Sequence, residues 1–292
     1  SQTPASLVSV SEASGLVKVK IKIGEGEFDS YATKDGKLLF PQAFDMSPKK
    51  TDANAAGTNP VQSPEEAAAS IMASITKTDK PMLGAYIVSR CPFGLQMQRM
   101  MADAIKSQPA LKQYVKALYI GSVSSDGKKI ISMHDSSSST VEGEENLRQI
   151  CIREEQPARY WDYVSCYIKG GDTTGCLTST SVNTVTLNAC VATPSRGVAY
   201  AKKDFDLANA NNASGSPTLV LEGITISEFT EDNKPIFGGR SSDEIRMLVC
   251  GAFNSQPSFC STKINTAEAA ASFSATYASS ASADTSNSSA NC

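Results

Sequence analysis

A short apolar run that ends in cysteine and proline constrains this sequence more than any other feature. Residues 84–89, with the sequence GAYIVS, are typical of a buried strand. The chain then passes through Arg90, Cys91 and Pro92 into a segment with helical spacing. Proline suits the first turn of a helix, because the N–H that it lacks would have no partner there. The sequence therefore predicts a strand that delivers Cys91 to the start of a helix.

A cysteine at a helix start has a distinct chemistry. The helix N-terminus offers free backbone N–H groups and the positive end of the helix dipole, and both stabilise a thiolate relative to a thiol. Arg90 adds a positive charge next to Cys91. The thiolate is the nucleophile in disulfide exchange, so Cys91 is a candidate nucleophile. A dithiol site would carry a second cysteine three positions later, where this chain has Gly94.

Composition and charge argue against several classes of protein. The chain has 292 residues and a formal net charge of −3, without the basic stripe of a nucleic-acid-binding protein. No apolar run approaches the roughly 20 residues of a membrane helix. The single histidine, His134, is interpreted as an ordinary loop residue. Zinc sites usually pair closely spaced cysteines or add histidines, and the sequence has no C-x-x-C pair, so we expect no metal and no cofactor.

The eight cysteines indicate an oxidising compartment. The chain opens at Ser1 rather than methionine, and a cleaved signal peptide is the preferred interpretation, with a shortened chain as the alternative. We therefore expect a secreted or extracytoplasmic protein, periplasmic or at the cell surface. Asn212 and Asn287 match the N-glycosylation acceptor pattern, which does not decide whether they are modified.

Patterning divides the chain into four segments. Residues 17–23 alternate apolar and charged side chains, and Asp35-Gly36 lies between two strand-like runs as a hairpin turn would. From about Ala267 the composition predicts that the chain buries no core. The predicted segments are an N-terminal β module (1–46), a linker with a connecting helix (47–80), a mixed domain (81–262) with a helical insertion (about 145–211), and an Ala/Ser-rich tail (263–292).

A second motif far downstream gives these elements a recognisable order. Ser216-Pro217-Thr218 introduces another apolar strand. Strand–Cys–Pro–helix, then helices, then Ser-Pro-Thr and a strand resembles the thioredoxin fold in its DsbA branch, where a helical insertion separates the two halves. The resemblance covers roughly residues 80–255 and implies that Pro217 is cis and faces the reactive sulfur. The N-terminal module is similar to the small β domain of periplasmic disulfide isomerases.

The expected fold class is therefore mixed (α+β / α/β). It comprises a thioredoxin-like fold with a helical insertion, preceded by a small N-terminal β module and followed by a low-complexity tail. The resemblance implies catalytic roles for Cys91 and Pro217 and substrate binding by their neighbours. The substrate-binding candidates are Arg90, Pro92, Phe93, Gly94, Ser216 and Thr218.

Because Gly94 departs from the family pattern, three interpretations of Cys91 stay open. Cys91 acts as a monothiol in exchange or isomerisation, or it is resolved by a distant cysteine, or it sits in a permanent disulfide within or between chains. The first hypothesis for function is an extracytoplasmic thiol–disulfide exchange or isomerase-like protein that acts on thiol- or disulfide-bearing proteins.

The alternative is a non-catalytic secreted subunit whose Cys91 pairs with Cys292 of another copy, which would build a filament or another homo-oligomer. Neighbouring helices and one hairpin-like loop would then bring the other cysteines together as Cys151–Cys190, Cys166–Cys176 and Cys250–Cys260. A further alternative is a peptide-binding module that uses the thioredoxin groove, Met97 to Met101 and the β module.

Overall fold

The chain folds as two units, Ser1–Thr58 and Asn59–Cys292. A computed structural model describes residues 5–13, 15–23, 26–40 and 63–278. Cys292, Asn287 and the first part of the predicted linker lie outside these described residues.

The first unit contains an antiparallel sheet in the order β1-β2-β3-β4. Its strands are β1 (Ala5–Ala13), β2 (Leu16–Ile23), β3 (Gly26–Ala32) and β4 (Leu39–Phe40). The predicted Asp35-Gly36 turn joins β3 to β4. The N–H of Gly36 donates to the oxygen of Thr33 at 2.9 Å, and the φ of +70° at Gly36 is one that glycine adopts without strain.

The second unit contains a mixed sheet in the order β10-β9-β5-β6. Its strands are β5 (Leu83–Ile87), β6 (Val115–Tyr119), β9 (Thr218–Leu221) and β10 (Ile224–Ile226). Strand β5 pairs in parallel with β6 and antiparallel with β9, and every residue of β5 is buried. This burial explains why its sequence is a continuous apolar run. A separate two-stranded ribbon joins β7 (Ser122–Val123) and β8 (Ile130–Ile131).

The helices explain how the two halves of this sheet are separated in sequence. They are α1 (Pro64–Ser74), α2 (Pro92–Ser107), α3 (Val141–Glu155), α4 (Tyr160–Tyr167), α5 (Thr173–Ser179), α6 (Thr184–Ala192), α7 (Gly197–Ala210) and α8 (Ser242–Gly251). A β5-α2-β6 half is followed by the helices α3 to α7 and then by a β9-β10-α8 half. This is the thioredoxin-like fold with a helical insertion, and the predicted fold class is confirmed. None of the helices in the described ranges is long and apolar enough to cross a membrane.

Three disulfide bonds hold the insertion and the C-terminal helix. Each cross-link restricts the unfolded chain, which typically stabilises a protein by roughly 2–4 kcal/mol. The bonds join α3 to α6, α4 to α5, and α8 to the short helix that follows it, and they are the same pairings named from the sequence: Cys151–Cys190, Cys166–Cys176 and Cys250–Cys260.

Residues 263–278, which we name the C-terminal strap, pack against the rest of the second unit. The expectation that the chain buries nothing from about Ala267 is therefore wrong for these residues. Ala269 and Ala270 are 1% and 3% exposed, respectively. Their small side chains supply little apolar area, so another interaction has to hold the strap.

That interaction is made by Arg99 of α2, a buried side chain with 4% exposure. Its guanidinium donates to the backbone oxygens of Ile168 at 2.9 Å, Ser272 at 3.1 Å and Ser274 at 3.3 Å, and also to that of Ala270. A guanidinium presents five donors in a fixed fork, and a buried cation is tolerated when its donors are paired. Composition could not predict this segment, because the bonds go to its backbone rather than to its side chains.

We expect Arg99→Met to release the strap. The substitution leaves buried backbone oxygens without a donor, and each such loss costs roughly 1–3 kcal/mol. The free energy of unfolding should fall by about 3 kcal/mol, and protease should cut first within residues 263–278. Thermal unfolding and limited proteolysis measure both effects. Lys106→Met, at the exposed end of the same helix, is the control, and equal losses in both variants would contradict the assignment.

Candidate active site

Cys91 caps the N-terminus of α2, directly after β5. Its sulfur accepts the backbone N–H of Gly94 at 3.4 Å and lies 3.2 Å from the backbone oxygen of Ser216. Cys91 is 0% exposed and is part of a disulfide bond. The predicted pairing with Cys292 lies outside the described residues. The sulfur therefore sits where helix N–H groups stabilise a thiolate once its disulfide opens.

The second predicted motif meets the first at this point. The Ser216–Pro217 peptide bond is cis, as the resemblance implies. The backbone oxygen of Ser216 approaches Cys91, while its hydroxyl accepts the N–H of Val88 at 3.0 Å. Thr218 then begins β9. The structure thus brings residues that are far apart in the sequence into one site, and their catalytic and substrate-binding roles stay predictions.

Gly94 is in the place that a second cysteine would take, and the space around it is closed. A Cβ on Gly94 would lie 2.5 Å from the backbone oxygen of Val88 and 2.7 Å from the hydroxyl of Ser216. Val88 directly follows β5 and is 0% exposed, so its backbone oxygen cannot shift without disturbing the packing around it. The packing around Cys91 therefore leaves no room for a cysteine side chain at position 94.

Phe93 is held by a cluster that the sequence does not reveal. The guanidinium carbon of Arg240 lies 5.0 Å from the centre of the Phe93 ring and 5.5 Å from that of Phe229. Glu228 accepts two hydrogen bonds of 2.9 Å from Arg240, and the side-chain oxygen of Gln96 accepts a third at 3.0 Å. Contacts of a cation with an aromatic face contribute about 0.5–2 kcal/mol, so this cluster fixes the first turn of α2.

The strap contacts the residues on both sides of Cys91. Arg90 is exposed, and its guanidinium carbon lies 5.6 Å from the centre of the Phe273 ring. The N–H of Ser272 donates to the backbone oxygen of Pro92 at 2.9 Å. The strap therefore restricts access to this part of the helix start. The predicted substrate-binding roles of Arg90 and Pro92 stay predictions.

Sequence reasoning missed the residues that lie beside Arg90. Glu142 at the start of α3 is 3% exposed, and its carboxylate accepts the N–H of Arg90 at 3.1 Å. The same carboxylate lies 3.0 Å from Nδ1 of His134, the residue interpreted from the sequence as ordinary. A cleft of about 350 Å³ opens here, and Arg90, Pro92, His134 and Glu142 are among its lining residues. No motif marks the pair, because only the fold brings these loops together.

Glu244 of α8 is a buried carboxyl with 1% exposure. Its Oε2 atom has no hydrogen-bond partner among the described residues. Burial is the main cause that raises the pKa of Glu244 to about 9, the charge of Glu228 adds to it, and Arg240 partly offsets it. The carboxyl is therefore neutral in the folded protein near pH 7.

Comparison with known proteins finds similarity in structure only. No family model matches the chain, and no curated protein matches it. Reduced DsbA from Mycobacterium tuberculosis is similar with a TM-score of 0.42 and 14% identity, over 63% of this chain and 92% of that one. The reduced disulfide bond oxidoreductase DsbG from the same organism also has a TM-score of 0.42 and 14% identity, over 64% and 89%.

Oxidised BdbD from Bacillus subtilis has a TM-score of 0.39 and 16% identity, over 60% of this chain and 89% of that one. At these identities and TM-scores the similarity is one of fold. It carries no conclusion about activity, and the thioredoxin-like fold of the second unit rests on its own topology.

We expect Gly94→Cys to fail as a restored dithiol site. The new Cβ clashes with the Val88 oxygen, so the free energy of unfolding should fall by about 2 kcal/mol, and Gly94→Ala should lose as much without any thiol. Gly170→Ala is the matched control, because a Cβ on Gly170 meets nothing within 4 Å. Urea unfolding measures all three variants. Equal stability of the two alanine variants would contradict the steric argument.

We expect the Glu244→Gln variant to become more stable relative to wild type as the pH rises. In the unfolded chain this carboxyl ionises near its ordinary pKa of 4.5, whereas in the folded protein it keeps its proton up to about pH 9. Between those values the unfolded state binds fewer protons, so stability falls by up to about 1.4 kcal/mol per pH unit. The stability linked to the proton of Glu244 is fully present below pH 4.5 and is lost as the pH rises through about 9.

The measurement is the melting temperature of wild type and variant from pH 5 to pH 9. The advantage of Glu244→Gln should widen steadily across that range, because glutamine does not titrate. Glu231→Gln, at an exposed position, is the control. A constant difference between wild type and Glu244→Gln would show that Glu244 does not titrate in this range.

Proposed function

We propose that this protein carries out thiol–disulfide exchange at Cys91 in an extracytoplasmic compartment, on thiol- or disulfide-bearing proteins. One observation carries the proposal. The Cys91 sulfur lies 3.4 Å from the N–H of Gly94 at a helix start and 3.2 Å from the oxygen of Ser216, beside a cis X-Pro bond. That is the geometry of a reacting sulfur on a thioredoxin scaffold.

The helix start favours the same chemistry in both directions. When Cys91 is a thiolate, its negative charge is stabilised and it attacks a substrate disulfide. When Cys91 is in a disulfide, the same stabilisation makes it a good leaving group for an attacking substrate thiolate. The closed space at Gly94 excludes a second thiol in this turn. Cys91 therefore acts as a monothiol, and release from a mixed disulfide uses a thiol of the substrate or a cysteine from another part of the chain.

The three other disulfide bonds support the proposed compartment. Such bonds form and persist in oxidising environments, and they are rare in the cytosol. Cys151, Cys190 and Cys250 are each buried to 3% exposure or less. Cys91 is equally buried, so the helix start beside its sulfur, rather than burial, distinguishes its disulfide from these bonds.

A second candidate function is favoured by the burial of Cys91. A sulfur with 0% exposure that is held in a disulfide also suits a permanent cross-link. The protein would then be a non-catalytic secreted subunit joined to other copies through Cys91 and Cys292, as oligomers or filaments. The two candidates differ in how fast the disulfide of Cys91 responds to a thiol.

The test exposes the native protein to reduced glutathione near pH 7, stops the reaction with acid, and identifies the opened cysteines by alkylation and peptide mass spectrometry. Exchange at Cys91 should be at least about tenfold faster than at the other three bonds, because its leaving group is stabilised. The protein should also speed the rearrangement of a substrate protein with scrambled disulfides.

Two variants make the result specific to Cys91. Cys91→Ser should abolish the rearrangement activity, whereas Ser107→Ala at the exposed end of α2 should leave it unchanged. Retained activity in Cys91→Ser would sink the proposal. A Cys91 bond as slow as the others, with covalent multimers on a non-reducing gel, would instead establish the cross-linked subunit.

A further inference from the structure

The middle of the C-terminal strap is a loop whose two ends meet. Ala269 and Ala278 pair with each other as an isolated β-bridge, and the N–H of Ala269 donates to the backbone oxygen of Arg240 at 2.8 Å. We name residues 271–276 the strap tip, because they lie between the paired ends. The ends of the loop therefore have contacts that do not depend on the tip.

The strap tip is bound to the rest of the second unit through its backbone. The N–H of Ser272 donates to the oxygen of Pro92 at 2.9 Å, and the N–H of Ser274 donates to that of Ile168 at 3.1 Å. The backbone oxygens of the same two serines accept from the guanidinium of Arg99 at 3.1 and 3.3 Å. A surface that binds backbone groups accepts segments of different sequence, and a side-chain pocket then adds selectivity.

Phe273 is the one large side chain of the tip, and its ring fills such a pocket. The centre of the ring lies 5.5 Å from the centre of the Tyr167 ring, in an edge-to-face arrangement, and 5.6 Å from the guanidinium carbon of Arg90. A Cβ on Gly171 would lie 3.1 Å from the ring, so the ring packs directly against the chain at that glycine. The pocket therefore suits an aromatic ring, because it offers a second ring and a cation.

Two features make the hold on the tip weaker than its number of hydrogen bonds suggests. Ser272 has a φ of +59°, a left-handed conformation that costs free energy for a residue with a Cβ and that glycine adopts without strain. One terminal nitrogen of Arg99 has two N–H groups, yet the backbone oxygens of Ile168, Ser272 and Ser274 share it. A segment with glycine in place of Ser272 would make the same backbone contacts without the strain.

Release of the tip does not leave a buried charge unpaired. Arg99 would keep the backbone oxygen of Ile168 on one terminal nitrogen and that of Ala270, outside the tip, on the other. A buried cation is tolerated when it stays paired. Ser272 and Ala275 of the tip are already exposed. The structure therefore allows the tip to leave while the ends of the loop stay bound.

The surface under the tip lies beside the helix start that carries Cys91. Arg90, which borders the Phe273 ring, precedes Cys91, and Pro92, whose oxygen binds the tip, follows it. A polypeptide bound in place of the tip would be held against the residues on either side of Cys91. Such binding selects and retains a partner, and it does not by itself set the geometry of a reaction at the sulfur.

We propose that the strap tip fills a polypeptide-binding groove, and that a segment of a substrate protein with glycine before an aromatic residue displaces it. The residues that hold the tip form this strap groove: Arg90, Pro92, Arg99, Tyr167, Ile168 and Gly171. The tip is then an autoinhibitory segment, because the affinity for the partner falls in proportion to the fraction of molecules whose tip is released. That the partner is a substrate rests on exchange at Cys91, whereas the groove itself does not.

The first test measures peptide binding to the full chain by fluorescence anisotropy. The probes are labelled peptides: AASFSAT, which repeats residues 270–276, AAGFSAT, with glycine before phenylalanine, and AAGASAT, without the ring. Phe273→Ala empties the pocket and should bind AAGFSAT at least about tenfold more tightly than wild type. AAGFSAT should bind more tightly than AASFSAT, because glycine adopts the left-handed conformation without strain. AAGASAT should show no binding.

Two further variants keep the phenylalanine. Ser272→Gly removes the strain from the bound tip, so it should bind AAGFSAT about twofold or more weakly than wild type. Ala275→Ser, at an exposed position of the same tip, is the matched control and should bind as wild type.

Three results would overturn the groove. They are no binding of AAGFSAT to a Phe273→Ala variant whose melting temperature shows an intact fold, tighter binding by Ser272→Gly than by wild type, and equal binding of AAGFSAT and AAGASAT to wild type. The last result decides the matter if Phe273→Ala does not fold.

An exchange assay separates this proposal from the proposed function. Phe273→Ala should speed the opening of the Cys91 disulfide by a cysteine-containing peptide with Gly-Phe at least about threefold. It should leave the opening by reduced glutathione, which has no aromatic ring, unchanged, and an equal gain with both thiols would overturn selection by the groove. If AAGFSAT binds as expected while neither thiol opens the Cys91 disulfide of the intact protein, the proposed function fails and the groove stands. If glutathione opens it rapidly while AAGFSAT does not bind, the groove fails and exchange stands.

Discussion

The close approach of the first turn of α2 to the cis X-Pro loop is the constraint on which the site depends. Gly94 has room for a hydrogen and not for a Cβ, because the Val88 oxygen and the Ser216 hydroxyl lie within 2.7 Å of where the Cβ would be. This contact lets the oxygen of Ser216 come within 3.2 Å of the Cys91 sulfur. The same packing that assembles a redox-type site therefore excludes the second thiol of a dithiol motif.

A second constraint acts through a buried cation. Arg99 has to pair its donors inside the protein, and the backbone oxygens of the strap supply the acceptors. The strap in turn places Ser272 and Phe273 against Pro92 and Arg90. The environment of Cys91 is thus set partly by α2 itself and partly by a segment that follows α8 in the chain. Loss of Arg99 would release the strap from Arg90 and Pro92 and so change the surroundings of Cys91, although Arg99 does not touch the sulfur in any described contact.

The sequence predicted those features of the protein that depend on interactions between residues close together in the chain. The Cys91-Pro92 helix start follows from a short pattern, whereas the cis bond before Pro217 and the fold with its helical insertion were implied by the resemblance to the DsbA branch. The strap could not be predicted, because its composition suggests no core and its stabilisation comes from Arg99, far away in the sequence. The orientation of His134 likewise depends on a carboxylate that only tertiary structure brings to it.

The environment of Cys91 has opposite effects on two requirements of exchange, a stabilised thiolate and access for the attacking thiol. Helix N–H groups stabilise the thiolate, which favours the opening of the disulfide once a thiol arrives. Burial opposes that arrival, because Cys91 is 0% exposed, and the strap contacts Arg90 and Pro92 on either side of it. The cleft that Arg90, Pro92 and His134 line has no strap residue among its lining residues, and Cys91 does not line it either. Access to the buried sulfur, rather than a second cysteine, would therefore determine selectivity.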